Sequence, residues 1–327
     1  MLALIITLSV VAFLLCLIFA LAIISDKIAF GRRYDKIPLL KYFTAEDFNL
    51  TAKPVSTGKY LKGFVYKNVQ AEQNGKVVVF CHGMGPGHIA YTTEIAYFCN
   101  LGYTVVAFDS KGCNFSGGKN IKGMYEGVKT ATAAIDFAQA KFKGAPIYLI
   151  GHSWGAYSAL CASAVRKVNA VVAISAPSTP SKTIQEGAVN VGLPKPVAAV
   201  LRPFWWLVNL FKYGAKGNAN AAKRAEKNGT PTLLIHGDCD KVVGKSKAVF
   251  FKADGENIEK LLCKVKYHNP YNTQSAEKLL AELSANLSKA SKMTDKDREY
   301  FNGFDYCAAT EEDKEVMTKI SEFLKSN

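Results

Sequence analysis

The pentapeptide Gly151-His152-Ser153-Trp154-Gly155 stands between a strand-forming run, Pro146-Ile147-Tyr148-Leu149-Ile150, and a helix-forming run that begins at Ala156. A chain that passes from buried strand to helix within five residues must turn sharply. The two glycines leave room where the two backbones approach. The serine between them is held in a strained conformation with its hydroxyl exposed, and the helix after it points its positive end at the same spot. Such a setting suits an activated nucleophile.

The other groups that such a serine needs follow along the chain. Val77-Val78-Val79-Phe80 leads into Cys81-His82-Gly83-Met84-Gly85, a strand ending in a glycine-rich turn. The backbone N–H of Met84 and that of Trp154, next after the serine, are the candidate oxyanion donors. Thr232-Leu233-Leu234-Ile235 reads as another buried strand and ends in His236-Gly237-Asp238-Cys239-Asp240. The next histidine is His268, after the strand-like Leu261 to Tyr267. Of the five histidines, His82, His152 and His236 belong to motif turns, and His88 reads as a loop or helix-start residue. Serine, then acid, then histidine is the order of the α/β-hydrolase fold. Asp238 and Asp240 lie two residues apart, so turn geometry must choose between them.

From about Lys59 to the C-terminus the chain resembles an α/β-hydrolase of the serine-aminopeptidase-like and monoacylglycerol-lipase-like branch. The resemblance rests on the turn with His82 and Gly83, the turn with Gly151 and Gly155, the stretch Asp109 to Gly118, and His236-Gly237-x-x-Asp240-x-Val242-Val243. The family pattern implies Ser153 as nucleophile, His268 as base and Asp240 as the acid that orients it, with Asp238 in a loop-stabilising role. The Asp109 stretch is then a structural loop, with Lys111 and Asn114 in place of the usual Arg and Gly. Gly244 and Tyr267 also depart from the pattern, where proline and glycine are common. The implied reaction is acyl transfer to water on an ester or thioester of a lipid-like acyl substrate. A peptidase and a non-catalytic binding protein are the alternatives. No cofactor is implied, and no Cys/His spacing suggests a metal.

Met1 to Ile24 carry no charge and only Thr7 and Ser9 as polar side chains. One helix of that length spans a hydrocarbon core of roughly 30 Å. No basic residue precedes the run, and Lys27, Arg32, Arg33, Lys36 and Lys41 follow it. A retained anchor with the catalytic domain on the cytoplasmic side is therefore expected. A cleaved signal peptide, and with it secretion, is the rival reading. The net charge of +14 reads as a lysine-rich bias of solvated side chains, with a basic face beside an anionic leaflet as the functional alternative. No reading motif points to nucleic acid, and no obligate protein partner is inferred.

Residues 1–25 are thus read as anchor, 26–58 as linker and 59–327 as one catalytic domain of mainly parallel sheet flanked by helices. The alternation of strand and helix breaks in 178–229, read as a helical cap, and again in 270–309, read as an extra helical insertion. Within the cap, Pro196 to Phe211 covers the site, lines an acyl pocket, or rests on the bilayer through Trp205 and Trp206. After Asp240 a helix is expected from Lys245 to about Ala253. The terminal helix is expected to open on Thr310-Glu311-Glu312-Asp313 and to bury Val316, Met317, Ile320, Phe323 and Leu324.

Overall fold

The computed structural model describes residues 1–290 and 294–327. Its apolar runs become the strands β3 (Val77–Cys81), β4 (Thr104–Phe108), β5 (Ile147–His152), β6 (Ala170–Ile174), β7 (Thr232–Gly237) and β8 (Ile258–Cys263). Two antiparallel strands, β1 (Thr51–Thr57) and β2 (Leu61–Lys67), precede them, so the sheet begins inside the segment read as linker. The order is β1-β2-β4-β3-β5-β6-β7-β8, and β3 to β8 are parallel. The chain crosses from β3 to β4 on one side of it and then returns from β4, past β3, to β5 on the other side. A crevice therefore opens between the carboxyl ends of β3 and β5, where α/β sheets bind ligands.

Both faces of the sheet are covered, which is why its strands are continuous apolar runs. Val77, Val79, Ile147 and Leu149 face one core with α3 (Tyr125–Lys141) and α4 (Trp154–Ser163). Val78, Phe80, Tyr148 and Ile150 face the other core. That second core is closed by α2 (Thr92–Asn100) and the terminal α11 (Lys314–Ser326). The five apolar residues expected to anchor α11 are all buried, each contributing about 1.5–3 kcal/mol. Its cap is Asp313, which accepts from the N–H groups of Glu315 and Val316, and not Thr310, whose hydroxyl bonds back to Tyr306 O.

Two other expectations are corrected. The helix expected from Lys245 is only a 3-10 turn, Val249–Phe251, where the rings of Phe250 and Phe251 lie against His236. The strand expected over 261–267 lies earlier, and Val265 at φ 57° ends any continuation toward His268.

Between β6 and β7 the chain forms α5 (Pro180–Asn190), α6 (Lys195–Tyr213) and α7 (Ala221–Lys227). After β8 come α8 (Gln274–Lys289), α9 (Asp295–Gly303) and α10 (Tyr306–Ala309). The N-terminal helix α1 (Leu2–Phe30) has a window of mean hydropathy 3.0 with none of it buried, long and apolar enough to cross a membrane. Its last turns enter the fold: Ala22, Asp26 and Phe30 are buried. Trp205 is buried as well, and its Nε1 donates to Ser25 Oγ at 2.8 Å, so only Trp206 of the tryptophan pair faces outward.

Candidate active site

Ser153 follows β5 directly and has φ 54° and ψ −117°, a conformation that costs a non-glycine residue about 1–3 kcal/mol. The sheet edge and the helix hold it there: its N–H donates to Ile174 O at 2.8 Å, and Tyr157 N–H donates to its carbonyl at 3.1 Å. The flanking glycines are required by contact. A Cβ on Gly151 would lie 2.5 Å from Gly155 O, and one on Gly155 would lie 1.9 Å from Cys81 O. The turn can close only with bare backbone at both positions.

Asp240 lies beyond β7 and His268 beyond β8, at the same carboxyl edge. His268 Nδ1 and Asp240 Oδ2 are 2.9 Å apart. Asp240 Oδ1 accepts the N–H groups of Val242 and Val243 at 2.8 and 2.9 Å. Burial pushes the Asp240 carboxyl up, but the hydrogen bond and charge of His268, with the Val243 N–H, outweigh it and hold it below its ordinary range. A carboxylate only accepts, so His268 carries its proton on Nδ1 and leaves Nε2 open. Asp238 makes no contact with His268. Its Oδ1 is buried without a partner among the described residues, and its backbone N–H donates to Cys263 O.

The loop bearing His268 is fixed from several sides. Its carbonyl accepts from His152 Nε2 at 2.9 Å and from Ser175 Oγ at 2.8 Å. Glu277, on α8, accepts the Tyr267 N–H on one oxygen and the Asn269 N–H on the other, both at 2.8 Å. The helix of the 270–309 segment therefore clamps the backbone on either side of His268. Lys266, just before the loop, pairs with Asp313 at 2.7 Å.

His152 joins this loop to the glycine-rich turn. Its Nδ1 lies 2.9 Å from Tyr91 Oη, and the Gly83 N–H donates to that same oxygen at 3.0 Å. Burial, and secondarily the nearness of His268, push the His152 imidazole down to about 3, so it is neutral. One proton arrangement satisfies every group: Gly83 N–H to Tyr91, Tyr91 O–H to His152 Nδ1, and His152 Nε2–H to the His268 carbonyl. The N–H groups of Met84 and Trp154 have no acceptor among the described residues; that of Trp154 opens α4 and has no intrahelical partner. Ser153 Oγ likewise makes no hydrogen bond among the described residues.

His82, the other motif histidine, is satisfied within its turn. Its Nε2 accepts the Ser110 N–H at 2.9 Å, and Nδ1 lies 2.6 Å from Gly83 O. Asp109 is buried against His88, whose Nδ1 and N–H lie 2.7 and 2.8 Å from its Oδ1. This pair secures the loop that the sequence reading left without a chemical role. Tyr91, Ser175 and Glu277 were missed in the sequence. Ser175 lies 93 residues from His268 and Tyr91 lies 61 from His152, whereas Glu277 is within ten residues of the N–H groups it holds; no local spacing marks any of the three.

Among the described residues no cluster of side chains is suited to a metal ion. A groove of about 830 Å³ opens at the amino ends of β5 to β7 beside Arg166, Asn169 and Asn228, away from Ser153. Helix α5 borders the acid loop instead: Glu186 accepts the Gly244 N–H at 3.0 Å, and Asn190 donates to Lys241 O at 3.3 Å.

A sequence model of the α/β-hydrolase fold matches residues 76–194. No curated protein matches the chain. An esterase of Pyrococcus furiosus superposes with TM-score 0.56 at 21% identity, covering 79% of this chain and 97% of its own. Est1E of Butyrivibrio proteoclasticus, solved with ferulic acid bound, superposes with TM-score 0.51 at 18% identity, covering 74% and 100%. Sheet order, crossover pattern and these likenesses agree: this chain has the α/β-hydrolase fold.

Proposed function

We propose that this chain is a serine hydrolase that cleaves a carboxylic ester or thioester of a lipid-like acyl substrate, in the serine-aminopeptidase-like and monoacylglycerol-lipase-like branch. The observation that carries the reading is the His268–Asp240 pair, open at Nε2 and tied through His152 to the strained Ser153. The Pyrococcus furiosus esterase shares the fold, which is consistent with it.

In this reading His268 Nε2 takes the proton of Ser153 as the hydroxyl attacks the acyl carbon. Asp240 stabilises the imidazolium that results. The N–H groups of Met84 and Trp154 receive the oxyanion of the tetrahedral intermediate, each supplying about 3–4 kcal/mol. His268 then gives the proton to the leaving alcohol or thiol, and the acyl group stays on Ser153. Water, deprotonated by the same histidine, attacks the acyl-enzyme and releases the acid. A nucleophile–base contact that is open in the free enzyme and closes in the Michaelis complex fits this scheme.

Residues 1–25 are proposed as a retained anchor and 59–327 as the catalytic domain, with 178–229 as its cap and 270–309 as its added helical segment; of the segment 26–58 read as linker, Thr51–Thr57 belongs to the domain's sheet as β1, and the rest is proposed as the connection. The basic residues Lys27, Arg32, Arg33, Lys36 and Lys41 after the apolar run support a cytoplasmic position for that domain. Retention is supported by the burial of Ala22, Asp26 and Phe30. The test is labelling by a fluorophosphonate probe, beside a panel of esters of graded chain length and aminoacyl amides. Labelling lost in Ser153→Ala, with esters turned over faster, is expected. Folded protein that does not label would overturn the enzyme reading, and faster amide cleavage would make it a peptidase.

A further inference from the structure

Helix α6 has more apolar surface than the domain covers. Ala198, Leu201, Trp205 and Val208 are buried. A second stripe, Val197, Val200, Phe204, Leu207 and Phe211, runs along another side of the helix with no charge in it. Val197, Val200 and Phe211 are 45%, 54% and 76% exposed. Charged neighbours such as Lys195, Arg202 and Lys212 lie off the stripe. Isolated apolar side chains on a surface need no explanation, but an unbroken stripe marks an interaction face.

Helix α1 indicates what covers it. The Phe19 ring lies 6.4 Å from that of Phe204 and 6.0 Å from that of Phe211, centroid to centroid. About 20 helical residues cross a hydrocarbon core. Phe19 lies within the uncharged apolar run that ends at Ile24, and so inside that core and close to its inner edge. The polar clasps between the two helices come only beyond that level: Ser25 with Trp205, and Asp26 with Lys212. The α6 stripe therefore continues the apolar surface of α1 at the depth of the acyl chains.

We propose that α6 is an in-plane membrane helix, its Val197–Phe211 stripe set into the leaflet through which α1 leaves the bilayer. The proposal rests on α1 being a retained anchor. The occupant of the stripe is the bilayer itself, and Lys27 and Arg32, just past the apolar run of α1, supply positive charge for anionic headgroups. Helix α5, joined to α6 by a short turn, holds the Asp240 loop through Glu186 and Asn190. The rim of the candidate site thus faces the leaflet, and an acyl substrate reaches it from lipid.

The test uses the full chain in vesicles of phosphatidylcholine and phosphatidylglycerol, with Cys16, Cys239 and Cys307 changed to serine. A bimane fluorophore is placed at Val200→Cys, at Phe211→Cys, or at Ser288→Cys on α8 as the aqueous control. Lipids brominated on the acyl chains should quench positions 200 and 211 roughly twofold and spare 288, and iodide in the buffer should do the reverse. Protein that floats with the vesicles while positions 200 and 211 stay open to iodide would overturn the proposal. So would protection of both positions without bromine quenching, the result expected if a second copy covered the stripe. Loss of flotation would show that the anchor reading had failed and the proposal with it. Absence of Ser153 labelling beside intact bromine quenching would remove the hydrolase reading alone.

Discussion

His88 and His268 each hold an aspartate at the carboxyl edge of the same sheet, at 2.7 Å from Asp109 and 2.9 Å from Asp240. The first pair is fully buried, and its second ring nitrogen is taken by Tyr66 Oη at 2.8 Å. The second has a histidine 18% exposed, whose Nε2 meets no partner among the described residues. Two contacts of nearly equal length thus support different roles. A histidine with both nitrogens occupied can only brace, whereas one oriented on Nδ1 and open on Nε2 can move a proton. The carboxylates match in one respect: burial pushes each up, and its histidine, aided by backbone N–H groups, more than offsets this.

The largest expected effect separates the pairs outright. Asp240→Asn should lower kcat by about 10⁴-fold through the wrong imidazole tautomer, with little change in Tm. Asp109→Asn should do the opposite. Breaking a fully buried pair costs about 3–5 kcal/mol, or roughly 10 °C in a domain of this size, while the folded fraction keeps its turnover within about threefold. Steady-state kinetics beside thermal melts of both variants reads the contrast, and an activity loss of equal size in the two would erase it.

A smaller effect is expected at Glu277, which acts on His268 only through backbone. Glu277→Ala should lower kcat about tenfold with KM nearly unchanged, and Glu277→Gln, which keeps one acceptor, should recover part of it. A change in KM alone would place Glu277 in substrate binding instead. Tyr91→Phe removes the link between Gly83 and His152, at about 1–2 kcal/mol, and should slow acylation severalfold in stopped-flow measurements. An unchanged acylation rate would show that the link is not needed for the chemistry.

The last expected effect is on stability alone. Burial pushes Glu94 up to about 7; burial, and then the charge of Glu94, push Glu312 up to about 9. The folded chain then keeps protons that the unfolded chain has already lost near pH 4. Stability should therefore fall as pH rises from the ordinary carboxyl range through 7 toward 9. Thermal melts between pH 5 and 9 should show this decline, and Glu312→Gln should flatten it. An equal decline in the variant would rule out this pair as its source.

What could be read from sequence was what is local. The crossing of β5 and α4 requires bare backbone at Gly151 and Gly155, and five consecutive residues carry that requirement. The strands were visible because each is buried on both faces, as in Val77 to Phe80. The choice of Asp240 over Asp238 came from the family pattern, and the geometry puts Asp240, not Asp238, against His268. Much of what escaped was long in sequence and short in space. Ser175 bonds His268 across 93 residues, and His152 does so across 116. The phenylalanines that pack on His236 sit in a 3-10 turn where propensity put a helix, and the left-handed turn at Val265 ends a strand that propensity continued. Trp205, read as a bilayer contact, is instead packed in the core, with its indole N–H satisfied by Ser25 of α1.

The most direct test of the difference between the two pairs is the rate at which a fluorophosphonate modifies Ser153, located by mass spectrometry of the labelled peptide. It is to be measured in the wild type, Asp240→Asn and Asp109→Asn at a temperature where all three are folded. The probe reports proton transfer from Ser153 without depending on which ester the enzyme prefers. Labelling should fall by orders of magnitude in Asp240→Asn and stay near the wild-type rate in Asp109→Asn. Wild-type labelling in Asp240→Asn, or an equal loss in Asp109→Asn, would contradict the assignment of His268 and Asp240 as the working pair.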